Sequence, residues 1–292
     1  MSQFHRQVPI RTVLCAAATI VSSLGLPSAQ SAPDWVARSN AHTRVVLEAQ
    51  AKLAPEGAAQ IGVSGVDDQI TDFSPGYTQR IRENVTKAQQ ELQRRLAAEK
   101  DPLVRQDLEI LLAAIRQQLH GLDVSERLQL PYTNAPAAIF NSLRALLDDQ
   151  VPQERRRAAI VRLRKYMGAE AGFKPFTELA VERLREKLPR QELLGPFKDQ
   201  VERDLGNITF FANGLDELFK KYDMPDAGPL LATLRTQFAS YEKAIRSELL
   251  PRTRTDFKLP PEVYASNLEQ FGVDIPPAEL VAMAHKAFDQ IQ

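Results

Sequence analysis

The sequence predicts an all-α protein, a multi-helix array of antiparallel helical hairpins. Apolar residues recur at intervals of three and four along nearly all of the chain after residue 33, the spacing that one face of a 3.6-residue spiral requires. Aromatic residues make up 7% and glycine only 13 of 292 positions, while Ala, Leu, Glu, Arg and Gln, which all favour helix, are abundant. No alternating run is long enough to need a sheet, and nothing repeats with a fixed period.

The chain opens on an export signal, residues 1–32. Met1 to Arg11 is short and basic, with Arg6 and Arg11 and no acid, and Thr12 to Leu26 is an uncharged apolar run ending at Pro27. That run contains Ser22 and Ser23 and falls short of the roughly 20 apolar residues of a permanent span, which argues against an uncleaved membrane anchor. Small residues at Ser28, Ala29, Ser31 and Ala32 place cleavage between Ala29 and Ala32. Cys15 follows the bulky Leu14, which argues against lipid attachment. The mature chain then has no cysteine, so disulfides, thiolate metal ligands and a cysteine nucleophile are excluded. Its expected destination is the periplasm or the exterior.

Residues 33–292 are expected to form one helical domain. Losing Arg6 and Arg11 with the signal leaves a slight acidic excess, since the whole chain has 37 basic and 37 acidic residues. A near-neutral chain lacks the basic surplus of a general nucleic-acid binder.

In order, Trp35 to Leu53 reads as the first helix, anchored by Trp35, Val46 and Leu47 and ended by Pro55-Glu56-Gly57. An irregular acidic connection follows, with Gly62, Gly65, Asp67, Asp68 and Asp72. Ser74 then caps a long helix that has Pro75 at its first position. Along it Tyr77, Ile81, Val85, Ala88, Leu92 and Leu96 share a face to be buried, while Arg80, Arg82, Glu83, Lys87, Glu91, Arg94, Arg95 and Glu99 face water. Asp101 and Pro102 restart the chain into a second helix through Leu108, Leu111, Leu112, Ile115 and Leu119, ended by Gly121; so short a break predicts an antiparallel hairpin. Shorter helices are expected over Asn134 to Leu147, Pro152 to Met167 and Pro175 to Leu188. Pro196 to Tyr222 reads as one long helix with Phe197, Val201, Leu205, Ile208, Phe211, Leu215 and Leu218 in a stripe. Pro225 to Gly228 breaks it before a helix from Pro229 to Leu250. A polar link from Arg252 to Pro261, a helix from Glu262 to Phe271 and a last one from Pro276 to Gln292 complete the chain.

The segment Gly62 to Pro75, ending Asp72-Phe73-Ser74-Pro75 before a long arginine-rich helix, resembles the start of the bacterial family called domain of unknown function 885. So does Asp256-Phe257-Lys258-Leu259-Pro260-Pro261-Glu262-Val263-Tyr264, followed by Gly272-Val273-Asp274-Ile275-Pro276-Pro277-Ala278-Glu279-Leu280. The resemblance covers most of the mature chain, in order, through helix starts and connections. One departure is Val66, where the family has an aromatic residue before the paired Asp67-Asp68. The resemblance implies an all-helical, zincin-like protein related in shape to helical metallocarboxypeptidases. It also implies an active half with a His-Glu pair, a further His and an acidic ligand, in which histidines hold zinc and glutamate polarises its water.

None of that machinery is in this sequence. The histidines are His5, His42, His120 and His285, and none precedes a glutamate. His5 lies in the signal and the others are too far apart for a local metal motif. The expectation is a front portion ending at Gln292, within an amphipathic helix, before the catalytic part. No catalytic, cofactor-binding or metal-ligating residue is assigned, and zinc is expected only of the absent half.

The other candidates have plainer readings. His285, beside a stripe of Leu280, Ala284, Ala287, Phe288 and Ile291, reads as a boundary packing residue, and His120, beside Gly121, as a helix-end cap. Asp67, Asp68 and Asp72 lack calcium-loop spacing and read as turn formers. Arg155, Arg156, Arg157, Arg162, Arg164 and Lys165 flank an Ile160, Leu163, Met167 stripe and read as a solvated face, not a phosphate site. Gly62-Val63-Ser64-Gly65 misses the nucleophile-elbow spacing. The sequons Asn84-Val85-Thr86 and Asn207-Ile208-Thr209 fall in helices and read as accidental.

Two readings of function remain open. One is the non-catalytic front of an exported zinc-metallopeptidase-like hydrolase, with peptide as substrate once the catalytic half is supplied. The other is a complete exported helical binding or scaffold protein. Under the first, the apolar face of the last helix predicts self-association or hydrophobic-dye binding.

Overall fold

The computed structural model describes residues 33–273 and 275–291, so the predicted signal, with Cys15, His5 and the cleavage region, lies outside the described residues. Everything described is helix or connection, apart from three isolated bridges, at Gln129 with Leu194, Met167 with Pro175 and Phe197 with Arg254. The all-α, multi-helix prediction therefore holds.

The helices are α1 (Asp34–Leu53), α2 (Pro55–Gln60), α3 (Tyr77–Ala98), α4 (Pro102–Leu128), α5 (Ala135–Leu146), α6 (Gln153–Arg156), α7 (Ala158–Tyr166), α8 (Phe176–Lys187), α9 (Lys198–Gly206), α10 (Ile208–Lys221), α11 (Ala227–Ala244), α12 (Pro261–Gln270) and α13 (Pro277–Ile291). A π-helical turn (Ile245–Leu249) and a 3-10 turn (Leu250–Arg252) carry α11 onward. The described residues divide into two compact units, one built from 33–49, 82–122, 260–273 and 275–291, the other from 50–81 and 123–259.

In the first unit, contacts at three positions of α1 set its direction against α3. Arg38 donates to Glu99 at 2.9 Å and to Asp101 at 2.8 Å, His42 Nδ1 lies 3.2 Å from Arg95, and Asn84 donates to the Ala49 carbonyl at 2.8 Å. Numbers rise along α1 as they fall along α3, so the two run antiparallel. Val85, Ala88 and Leu92 of α3 are buried, as the apolar spacing requires. The polar face of α3, expected in water throughout, is partly covered, because α1 lies along Arg95 and Glu99. Asp101 does cap α4, accepting from the Leu103 N–H at 3.0 Å with Pro102 in the first turn.

Helix ends on either side of this hairpin differ from what the sequence predicts. The start at Ser74-Pro75 moves to Tyr77, because Gly76 takes φ +80° and breaks the spiral; the Ser74 hydroxyl accepts from Arg80 at 3.0 Å instead of capping. Gly121 does not end α4, which continues to Leu128. A mid-helix glycine costs only about 1 kcal/mol, and here it makes room for α12: a Cβ would lie 2.7 Å from the Gln270 side-chain nitrogen.

The second unit holds one large core. Leu143, Leu163, Tyr166, Leu184, Leu215, Phe219, Phe238 and Leu249 are among its buried members, from α5, α7, α8, α10, α11 and the π-helical turn. Helix α10 packs on α5 and α11, and α11 on α7 and α8. The Asn134 side chain caps α5 by accepting from Ala137 N–H at 3.1 Å. The helix expected unbroken from Pro196 to Tyr222 is instead α9 and α10, interrupted at Asn207, where ψ is 0° after Gly206 and two weak helix formers in succession release the spiral. Helix α11 starts at Ala227, not Pro229, and its last turn widens into the π form ahead of Pro251. The link after Arg252 is held down: Arg254 N–H donates to the Pro196 carbonyl at 3.0 Å and Lys198 N–H to that of Arg254 at 2.8 Å.

Candidate functional site

Two groups that the sequence singles out separately, the acidic loop and the basic cluster, bind each other. On α6, Arg155 grips Asp67 through Nε at 2.8 Å and Nη2 at 2.7 Å, and Nη2 also reaches the Ala59 carbonyl at 3.0 Å. These bonds hold the Arg155 guanidinium above its usual pKa. On α7, Lys165 binds Asp68 at 2.9 Å, and Arg162 Nη2 donates to the Val66 carbonyl at 3.1 Å. Three successive loop residues are thus each held by a cation from α6 or α7. The acids act as anchors as well as turn formers, and the face read as solvated is partly covered.

The rest of the loop is fixed in the same way. Glu56, on α2, accepts from the Thr71 N–H and hydroxyl, both at 2.8 Å, and from the Tyr166 hydroxyl at 2.7 Å. Burial, reinforced by the Glu56 charge, drives the Tyr166 pKa well above its ordinary value, so the phenol stays protonated and donating. Burial pushes the Asp72 carboxyl up, but hydrogen bonds from the Ser74 hydroxyl and N–H and the charge of Arg80 outweigh it and hold the group below its ordinary range. Phe73 inserts its ring between Tyr77 and Phe176, with centroids 4.5 and 5.2 Å away, and its carbonyl accepts from the buried Arg183 at 2.6 Å.

Beside this clamp is a cavity of about 330 Å³, lined by Glu56, Ala59, Leu146, Val151, Arg155 and Arg162 among others. Arg162 is 1% exposed, and among the described residues no carboxylate pairs with it. Its Nη1 reaches only the Ser142 carbonyl at 3.4 Å and hydroxyl at 3.3 Å, and its Nε has no partner. Helical spacing puts it there. Ala159, Leu163 and Tyr166 are the buried residues of α7, and Arg162 lies three after the first and four before the last. Apolar spacing alone selects Ile160, Leu163 and Met167 as the stripe. The sequence signal for the buried arginine is its register with Ala159 and Tyr166.

The described histidines lie on three different helices. His42 on α1 has a lowered pKa, first from burial and then from Arg95, and its Nε2 is buried without a partner. His120 is not an end cap; it lies inside α4, with Nδ1 2.9 Å from Glu269 of α12. His285 is not a packing residue either, since α13 buries none of its residues. Among the described residues no three His, Cys, Asp or Glu side chains gather as a metal ion would need. Of the sequons, Asn84 is engaged with α1 and Asn207 is exposed between α9 and α10.

No curated protein matches the chain. A family model described as "Bacterial protein of unknown function (DUF885)" matches residues 55–292, from the first residue of α2 onward and including the whole clamped loop. The chain therefore belongs to the DUF885 family of bacterial proteins.

Proposed function

We propose that the chain is the helical, substrate-framing front portion of an exported hydrolase resembling zinc metallopeptidases, and that it does no metal chemistry alone. One observation carries the reading: the His-Glu pair that the resemblance expects is missing from the sequence, and the described histidines lie on α1, α4 and α13 in unrelated surroundings. Water is activated by such a metal only where several ligands converge. The exposed apolar side of α13 adds support, with Val281 56%, Met283 51%, Phe288 59% and Ile291 85% exposed, a face suited to a further protein surface.

The test is to incubate the purified chain with one equivalent of zinc, then measure bound metal after desalting and hydrolysis of a peptide mixture. Neither tight zinc nor cleavage is expected. One retained zinc per chain together with peptide cleavage overturns the proposal. Export is tested by sequencing the N-terminus of protein recovered outside the cytoplasm, which should begin after a cut between Ala29 and Ala32; an intact Met1 start overturns cleavage. No helix among the described residues is long and apolar enough to cross a membrane.

The second reading, an exported helical binding module, is favoured by the buried Arg162 at its cavity. The two differ in whether a ligand binds this chain by itself.

A further inference from the structure

We infer that the cavity beside Arg162 binds the carboxylate of a small organic acid, and this holds under either reading of function. Among the groups that line the cavity, Glu56 has its acceptors occupied while Arg162 has a donor left over. Both Glu56 oxygens are taken by Thr71 and Tyr166. Arg155 is engaged through Nε and Nη2 with Asp67 and Ala59. Arg162 is buried, unpaired in charge, and has an unpartnered Nε; its other nitrogens make only bonds of 3.1 to 3.4 Å to neutral oxygens. A guanidinium held so loosely can turn an edge to an incoming oxyanion, and a buried cation gains most from a planar, two-oxygen partner.

Charge and size narrow the class. Glu56 and Asp148 also line the cavity, so a dianion would meet more repulsion than a monoanion. Ala59, Ala145, Leu146 and Val151 supply apolar wall for a short hydrocarbon body. A volume of about 330 Å³ suits a small ligand. The ligand is a small monocarboxylic acid, its carboxylate on Arg162 and its body along α5.

The experiment uses the full chain labelled with ¹⁵N at arginine Nε, titrated with butanoate, with neutral butanamide and with inorganic phosphate. The Arg162 Nε–H signal is assigned by its loss in Arg162→Lys or, should that variant not fold, by its slow exchange with solvent. Butanoate should shift this signal saturably and butanamide should not. Ala145→Leu, which narrows the cavity from the α5 side, should weaken binding at least about tenfold while keeping the helical spectrum. An Nε–H signal indifferent to butanoate at tens of millimolar shows that protein or water alone satisfies Arg162, and overturns the inference. So does an equal response to butanamide, a response to phosphate alone, or undiminished binding by folded Ala145→Leu.

Discussion

At Glu56 three donors converge on one carboxylate, and one of them, the Tyr166 hydroxyl, belongs to a residue only 2% exposed. Removing the acceptor leaves that hydroxyl buried without a partner, which costs more than the bond contributes when made. Glu56→Ala should therefore lower stability by about 1–3 kcal/mol in urea titration, and Tyr166→Phe by only about 1 kcal/mol. Equal losses would mean that the phenol finds another partner. His42 gives a second prediction at this scale. Burial and Arg95 depress its folded pKa below the ordinary 6.5, so the unfolded chain binds the proton more readily. The stabilisation is present above 6.5 and is lost as pH falls through that value toward the folded pKa. The melting temperature should drop over that interval in the parent protein, and the slope should flatten in His42→Gln. Little of this was visible in the sequence. Asp67 and Arg155 are 88 residues apart, and nothing local marks them as partners. Arg162 alone left a trace, through its register with Ala159 and Tyr166.

Helices were legible where period and cap agreed. The stripe Val85, Ala88 and Leu92 and the Asp101-Pro102 start both stand, because spacing and capping are settled within a few residues. Ends were misread where one backbone angle or a distant neighbour decides, as at Gly76, at Asn207 and at Gly121. Gly195 shows how sharply a neighbour can decide. A Cβ there would fall 1.7 Å from the Arg252 carbonyl oxygen, a backbone atom that cannot swing aside. Gly195→Ala should cost about 3 kcal/mol, the upper end of the usual overpacking range. Gly121→Ala should be neutral or stabilising, since only the end of the Gln270 side chain must move and alanine favours helix by about 1 kcal/mol. Parallel thermal melts check both, and a mild Gly195→Ala would mean that the 195–198 stretch and the Arg252 turn can separate.

For the molecule as a whole, α13 is the element with an apolar face and no buried residue. The chain should bind a hydrophobic dye or self-associate at micromolar concentration, and Val281→Ser with Phe288→Ser should abolish either behaviour without lowering the main melting transition. A monomer that ignores the dye would count against a partner surface on α13. The candidate cavity escaped the sequence for a reason that belongs to this scale: its walls come from α2, α5, α6, α7 and the turn between α5 and α6, and only the folded chain brings them together.

The interleaving of the two units sets an order of events during synthesis. The unit made of residues 50–81 and 123–259 has all its parts once residue 259 has left the ribosome, whereas the other must hold α1, α3 and α4 ready until the stretch from 260 emerges. A chain stalled with residue 259 outside the ribosome and the stretch from 260 still within it would therefore leave nascent α4 without Ser266 and Gln270 beside Gly121, and chaperone binding or proteolytic nicking of such chains should concentrate on that first-begun, last-finished unit.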